Sequence, residues 1–168
     1  MLERPVYSRD YALHIAYDEF FDPFKANFSQ IKCVIVGSIR REKEFVHDID
    51  ILVVSTLPEV KEWCGNKLNN KDLLYLRGEL PGLFGPIKTQ VWLCNESEYG
   101  PSLLKWTGPH HFNVKLSSIA KHYGAMLSEH GLFLGTPDNK IKRIDENTES
   151  NIIWLLLNRK WIHPRDRY

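Results

Sequence analysis

The sequence predicts an α+β protein, in which a mixed β-sheet flanked by helices is followed by a smaller lobe of helices and short strands. Two short apolar runs rich in β-branched residues, 33–36 and 51–54, are typical of buried strands. Apolar side chains at helical spacing between residues 8 and 26 are typical of a helix that packs on a sheet. After a break at residues 99–101 the apolar spacing becomes mainly helical, and this change marks the second lobe.

The composition is compatible with one domain or with two small lobes. The chain has 168 residues, of which 43% are hydrophobic, and Lys+Arg 22 against Asp+Glu 21 give a formal net charge of +1. This balance neither favours nor excludes a nucleic-acid partner, because a basic groove can exist within a neutral total.

The cysteine and hydropathy patterns suggest a compartment. Cys33, Cys64 and Cys94 contain no pair at metal-binding spacing, so we expect buried thiols in a reducing environment. No apolar run approaches the length of a membrane span, and the first residues do not resemble a secretion signal. We therefore expect a soluble, intracellular monomer; the cytoplasm and the nucleus are not distinguished, and a viral source is compatible with the sequence.

Local signals define the elements of the first lobe. Ser8 can cap a helix that runs to about residue 26, and Pro23 should bend or end that helix. The expected elements are helix 8–26, strands 33–36 and 49–55, helix 57–66, a turn at 69–72, strand 73–76, a Gly/Pro-rich connection at 78–86 and strand 87–94.

The second lobe is predicted from the same kinds of signal. Residues 109–127 have helical spacing, and residues 132–134 are typical of a short strand. A further helix is expected from Asn147 to Asn158, followed by an irregular and basic end.

An acidic pair opens the second buried strand. Because side chains alternate along a strand, Asp48 and Asp50 should share one face, while Ile49 and Ile51 take the other. Two adjacent carboxylates repel each other, and Mg²⁺ is a hard cation that favours carboxylate ligands. The pattern therefore predicts a metal site; the alternative is an exposed strand end with two solvated acids.

A tight turn precedes the acidic pair. Gly37 would let a phosphate approach the backbone, and the Ser38 hydroxyl could donate a hydrogen bond to it. Arg40 or Arg41 could add a bidentate charge contact. Alternatively, Ser38 is an ordinary turn residue and Arg41 a solvated loop charge.

Taken together, these motifs resemble a known family. Gly37-Ser38, Arg40-Arg41 and Asp48-Ile49-Asp50 stand as the nucleotidyltransferase signature does in the family X DNA polymerases, the relatives of polymerase beta. The resemblance implies a palm over residues 1–105 and a C-terminal lobe over 106–168 that closes on nucleotide and DNA. It further implies the minimal form, with these two lobes only, which is also found in small viral members.

The resemblance implies roles for the residues of the first lobe. Ser38 and Arg41 would hold the triphosphate, with Gly37 giving it room, and Asp48 and Asp50 would hold two Mg²⁺ ions, which Mn²⁺ could replace.

A second motif lies in the C-terminal lobe. The segment that begins at Trp106 resembles the family's aromatic-Thr-Gly and Phe-Asn motif, which lines the sugar and base of the nucleotide. Trp106 would lie against the sugar, Gly108 belongs to the nucleotide-binding bend, and Asn113 would reach the minor-groove edge of the base. Alternatively, Trp106 is core and Asn113 a helix-surface amide. The family also leads us to expect a cis bond between Gly108 and Pro109.

One position departs from the family pattern. The resemblance places a third catalytic Asp on the strand over residues 87–94, and alignment puts Gln90 there. An amide carries no charge and cannot act as a base near neutral pH.

Three functions follow from these features. The leading hypothesis is metal-dependent addition of deoxynucleotides to a DNA 3′ end in gap-filling repair, with a gapped duplex and a deoxynucleoside triphosphate as partners. If so, DNA should bind to a basic strip made of Lys115, Lys121, Arg159, Lys160, Arg165 and Arg167. The alternative, which Gln90 favours, is a catalytically weakened or silent homologue that still binds nucleotide and DNA. The third is nucleotide transfer to a small molecule or an RNA end, against which the Phe112-Asn113 segment and the basic end speak.

Overall fold

The computed structural model describes residues 5–70, 75–136, 139–144, 148–158 and 161–167. The chain forms two compact units, Met1–Cys94 and Asn95–Tyr168. Helix Tyr99–Thr107 packs on elements of the second unit. The division into a palm over 1–105 and a closing lobe over 106–168 stays a prediction.

Unit 1 begins with a short strand and a long helical stretch. Strand β1 (Tyr7–Ser8) leads into α1 (Arg9–Ala16), a π-helical segment (Tyr17–Phe21) and α2 (Asp22–Asn27). The Ser8 hydroxyl accepts a hydrogen bond from the Tyr11 amide at 3.3 Å, so the predicted N-cap is confirmed.

The prediction that Pro23 ends this stretch is wrong, and the alternative that it bends the stretch stays a prediction. The helix continues to Asn27, and Pro23 is the second residue of α2. A proline inside a helix lacks a donor and crowds the preceding turn. The wider π-helical segment directly precedes it, with the Asp22 amide bonded to the Tyr17 carbonyl, and provides room for the ring.

The central sheet of unit 1 is mixed, as predicted. Strand β2 (Cys33–Ile35) is followed by the short helix α3 (Gly37–Arg40), strand β3 (Phe45–Val46) and strand β4 (Asp48–Val54). Helix α4 (Pro58–Lys67), β5 (Arg77–Leu80) and β6 (Ile87–Cys94) complete the unit. The strand order is β2-β4-β6-β5, with β4 and β6 parallel and the other pairs antiparallel.

Two expectations about strands β5 and β6 need correction. The strand begins at Arg77 instead of 73, and Gly78–Leu80, expected in the connection, belong to it; residues 71–74 lie outside the described part. Position 78 of this strand requires a glycine, because it lies so close to the Leu68 carbonyl that no side chain would fit. Strand β6 is central, but its face with Lys88 is open, whereas cover on both faces was expected.

Unit 2 consists of helices around a three-stranded antiparallel sheet. After a 3₁₀ turn (Glu96–Glu98) come α5 (Tyr99–Thr107), α6 (His110–His122), β7 (Ala125–Ser128), β8 (Gly131–Thr136), β9 (Asn139–Arg143), α7 (Glu149–Leu157) and a 3₁₀ turn (Pro164–Asp166). Helix α6 ends before the predicted residue 127, because Gly124 has a positive φ of 68° that terminates the helix. Thr148 caps α7, accepting from the Asn151 amide at 3.2 Å.

Each unit has its own apolar core. In unit 1 the aromatic side chains of the first helical stretch pack with the inner face of the sheet, including Ile49, Ile51 and Val53. In unit 2 the largest cluster joins α5, α6 and α7 through Leu104, Phe112, Leu116, Ile152 and Ile153. Within the described ranges, no helix is long and apolar enough to cross a membrane.

Candidate active site

Strand β4 positions the two acids on one face of the sheet. Asp48 and Asp50 are half-buried, whereas Ile49 and Ile51 between and after them are fully buried in the core. This alternation confirms the predicted shared face of the carboxylates.

Gly37 packs directly on the Asp50 side chain. Its φ is 63°, and a Cβ at this position would lie 2.1 Å from Asp50 Oδ2. The Val36 amide donates to the Asp50 carbonyl at 2.9 Å, which joins the turn to the strand. Glycine is therefore required here by both the backbone conformation and the close approach.

The Ser38 hydroxyl is buried next to this contact. Among the described residues Ser38 Oγ has no hydrogen-bond partner. A buried hydroxyl without a partner carries a desolvation cost, which a ligand with acceptor oxygens could remove.

Arg41 extends from the end of helix α3 toward the sheet face that carries Asp48 and Asp50, which we call the acidic face. Burial lowers the pKa of its guanidinium, while the negative charges of Asp50 and Asp48 act in the opposite direction. The structure thus brings one cation close to both carboxylates.

Gln90 lies beside Asp50 in the central sheet. The parallel register pairs Asp48 with Lys88 and Asp50 with Gln90 across strands β4 and β6. On the other side of β6, Arg77 of strand β5 is in register with Gln90. The site therefore has the amide of Gln90, with a second arginine beside it, at the position where the resemblance places a third carboxylate.

Asp50 is the electrostatically strained acid of the site. Burial raises its pKa to about 6, and the adjacent charge of Asp48 adds to the rise. A hydrogen bond from the Trp92 side chain and the charges of Arg41 and Arg77 oppose it. Three neighbours thus stabilise the ionised carboxylate without offsetting its loss of solvation.

The donor set fits a divalent cation only in part. Asp48 and Asp50 are two hard oxygen ligands on one face, and their mutual repulsion would be relieved by a cation. In the described part of the chain, however, no group of three or more His, Cys, Asp or Glu side chains could hold a metal. The pair is suited to one cation. Gln90 occupies the position at which a two-metal arrangement would have its third carboxylate.

The remaining predicted residues belong to unit 2. Trp106 is half-buried, and the Lys105 ammonium lies 4.9 Å from its ring centroid. Gly108 has a φ of 65°, and the Gly108–Pro109 bond is cis, as predicted. Asn113 donates from Nδ2 to the Lys105 carbonyl at 2.7 Å, so part of its amide is already engaged.

Asn113 lines a cleft inside unit 2. Helices α5 and α6 and strand β7 enclose about 510 Å³, lined in part by Lys105, His110, Asn113, Lys121 and Glu129. Lys105 and Glu129 form an ion pair of 2.6 Å at its edge. His110 and His111 are exposed.

One residue expected to contact DNA is structural instead. Arg167 was placed in a basic strip, but its side chain is fully buried and pairs with Glu149 at 2.8 Å. Its guanidinium also packs on the rings of Phe112 and Trp161, at 5.6 and 5.3 Å from the centroids. The other members of the predicted strip are Lys115, Lys121 and Arg165, which are exposed, and Arg159 and Lys160, which lie outside the described residues.

Two contributors to the acidic face were missed from the sequence. Alternation along the strand places Trp92 on the face of Gln90, but its hydrogen bond to Asp50 was not predicted. Arg77 was assigned neither to the strand 73–76 nor to the connection 78–86, and no local signal indicated its place opposite Gln90.

Comparison with known proteins shows that this chain is similar to DNA polymerases. Residues 102–168 match the family model of the DNA polymerase beta thumb. The DNA polymerase/3′-5′ exonuclease PolX of Bacillus subtilis (strain 168) is 28% identical over 128 residues, which cover 73% of this chain. The chain is thus similar to family X DNA polymerases, in agreement with the resemblance seen in the sequence. It spans only 22% of the length of the Bacillus protein.

Proposed function

We propose that unit 1 is a nucleotidyltransferase palm that binds a nucleoside triphosphate and transfers its nucleotide to a DNA 3′ end. The observation that carries this proposal is a grouping on one sheet face. A buried Ser38 hydroxyl, which has no partner among the residues that the structure describes, lies with Arg41 and two carboxylates. In a purely structural turn, that hydroxyl would be expected to have a protein partner.

The phosphate-binding role follows from the chemistry of these side chains. Ser38 would donate its hydroxyl hydrogen to a phosphate oxygen, and Arg41 would add a charge-assisted bond. Gly37 keeps the turn close to Asp50, so the phosphates and the carboxylates would be neighbours.

Asp48 and Asp50 would hold one divalent cation, Mg²⁺ or Mn²⁺. When bound, the cation would neutralise charge on the triphosphate. Because Gln90 cannot accept the proton of the attacking 3′-hydroxyl, we expect slow turnover.

Unit 2 would serve as the lobe that contacts nucleotide and DNA. Its match to the polymerase beta thumb supports this role. The cleft lined by Asn113 and Lys121 offers an amide and an exposed cation to a base and its phosphates, whereas Lys105 is paired with Glu129. Trp106 and Gly108 would complete this binding region, which makes a gapped duplex the expected substrate.

A second candidate function is binding without turnover. The observation that favours it is Gln90, which leaves the face with two carboxylates against the nearby charges of Arg41 and Arg77. Such a protein would keep affinity for nucleotide and DNA and would protect or recruit rather than fill gaps.

Single-nucleotide incorporation on a gapped duplex separates the two functions. We expect the natural protein to be slow and Gln90→Asp to be faster by about tenfold or more, which corresponds to a barrier lowered by roughly 1.4 kcal/mol. Gln30→Asp, an exposed change of the same type, should leave the rate unchanged.

The outcomes have distinct meanings. Incorporation by the natural protein that disappears in Asp50→Ala supports the transferase. No incorporation by either protein, together with retained nucleotide affinity, supports the binding function. Absence of nucleotide affinity in the natural protein would contradict both.

A further inference from the structure

We propose that Trp92 is a positioning residue for Asp50, holding this carboxylate in the orientation in which the acidic pair takes up a divalent cation. The inference rests on the proposed function, since it assumes that Asp48 and Asp50 are the cation ligands. Trp92 is not itself a metal ligand, so a list of the ligands alone would not indicate its role.

The geometry places Trp92 at the edge of the acidic face. It follows Gln90 on the same side of β6 and is in register with Leu52, the next residue after Asp50 on that side of β4. From there the Trp92 side chain donates a hydrogen bond to the Asp50 carboxylate. Indole has a single N–H and no acceptor, so it is the donor in this bond.

A stack of side chains fixes the indole ring in turn. The guanidinium carbon of Arg77 lies 5.8 Å from the Trp92 ring centroid and 5.8 Å from the Tyr75 ring centroid. Arg77 is anchored by the pairing of β5 with β6, opposite Gln90. Since a cation over an indole face is attracted to it, the stack restrains the ring from the open side.

Asp50 is thereby confined on two sides. Gly37 contacts it from the direction of β2, and Trp92 bonds it from the direction of β6. Asp48, by contrast, is the acid at the start of the strand, next to the exposed Lys88. One ligand of the pair is thus set by the fold, and a cation would adapt mainly through the other.

A tryptophan suits this task better than a cationic donor. A neutral N–H orients a carboxylate without removing net negative charge from the pair, so the attraction for a cation is retained. Groups that orient metal ligands in this way typically contribute about 10- to 100-fold to metal affinity.

The test measures binding of Mn²⁺ alone to the full chain by electron paramagnetic resonance. Trp92→Phe keeps an aromatic ring but removes the donor, and we expect its Kd for Mn²⁺ to rise about tenfold or more. Trp63→Phe is the matched control, because Trp63 packs against Phe20 and Phe24 in the core of the same unit. Its Kd should stay within about twofold of that of the natural protein.

A second readout needs no substitution once resonances are assigned. In a ¹H–¹⁵N spectrum of the natural protein, substoichiometric Mn²⁺ should broaden the Trp92 indole signal before that of Trp63. Mg²⁺ should shift the same signal, because its acceptor becomes a metal ligand. Selective broadening would show that the Trp92 N–H lies near the bound cation, and the positioning role itself is tested by the Kd of Trp92→Phe.

The results separate this inference from the proposed function. If Asp50→Ala abolishes Mn²⁺ binding but Trp92→Phe leaves both Kd and fold intact, the positioning role is refuted and the metal site stands. If the natural protein binds no Mn²⁺, or Asp50→Ala binds it equally well, the cation site itself is overturned.

Discussion

Single side chains at the acidic face carry opposing costs. Asp50 is half-buried beside another acid, and Ser38 presents a buried hydroxyl without a partner in the described residues. Neither arrangement stabilises a free protein, whereas both become favourable when a cation and a phosphate are bound. Such local costs are typical of a binding site.

The raised pKa of Asp50 predicts a pH-dependent cost to stability. Its folded pKa of about 6 exceeds the ordinary 3.8, so the folded state binds the proton more tightly. The stabilisation that the bound proton gives to the folded state is fully present below about pH 4 and is lost as the pH rises to about 6. Asp50→Asn should therefore raise the free energy of unfolding at pH 8 by about 1–3 kcal/mol.

Urea unfolding at pH 8 and at pH 4, in the presence of a chelator, checks this prediction. The difference between the natural protein and Asp50→Asn should shrink at the lower pH. Asp22→Asn, a change at an exposed acid, serves as the control. Equal stabilities at pH 8 would show that Asp50 is not strained.

Arg41 should be the arginine that binds phosphate. Arg41→Ala is expected to weaken nucleotide binding by about 1.5–3 kcal/mol, the range of a hydrogen bond to a charged group. Titration with a fluorescent deoxynucleotide gives the Kd. The neighbouring Arg40→Ala should have a smaller effect, and an unchanged Kd in Arg41→Ala would place the phosphates elsewhere.

Among the elements, the parallel pair of β4 and β6 decides the composition of the site. Its register places Gln90 next to Asp50 and Trp92 one step further along the same face. Strand β5 then adds Arg77 from the edge of the sheet. Residues distant in the chain thus meet because two buried strands pair in one register.

The last turn of the chain is held to helix α7 by a buried ion pair. Arg167 and Glu149 have side chains that are 0% and 5% exposed, with a separation of 2.8 Å. Arg167→Met should destabilise unit 2 by about 3–5 kcal/mol, because Glu149 would remain buried without its partner.

Chemical denaturation measures this loss. The double change Arg167→Met with Glu149→Met should recover much of the stability, since no unpaired charge is left. Arg165→Met alters an exposed arginine nearby and should have little effect. If the single change is harmless, the pair does not hold the C-terminal turn.

For the protein as a unit, the near-zero net charge makes DNA binding a matter of local patches. We expect the affinity for a gapped duplex to fall steeply with salt, because each phosphate contact releases counterions. Lys115→Ala or Lys121→Ala should reduce the slope of log K against log salt by about one. Lys32→Ala in unit 1 is the matched control.

Fluorescence anisotropy at several salt concentrations provides these slopes. A flat response of the natural protein would exclude phosphate-dominated binding and would favour a small-molecule acceptor. Arg167 is not expected to contribute to the slope, because it is buried against Glu149.

Much of unit 1 could be predicted from local pattern. The apolar runs predicted β2 and β4, alternation predicted the shared face of Asp48 and Asp50, and Ser8 predicted the start of the first helix. These features depend on neighbours in sequence, whose side chains alternate or repeat with a known period.

The resemblance to the family allowed one position on another strand to be predicted as well. Alignment predicted Gln90 at the place of a third acid, and the register beside Asp50 agrees with it. The roles of Ser38, Arg41, Trp106 and Asn113 remain proposals that the binding experiments test.

The residue types of the acidic face, the mixed sheet and the similarity to family X DNA polymerases could be predicted from the sequence alone. Only the tertiary structure decided that Trp92 bonds Asp50, that Arg77 stacks on Trp92 and that Arg167 is buried. The physical reason is that burial and hydrogen bonding between distant segments arise from packing, which no local period encodes.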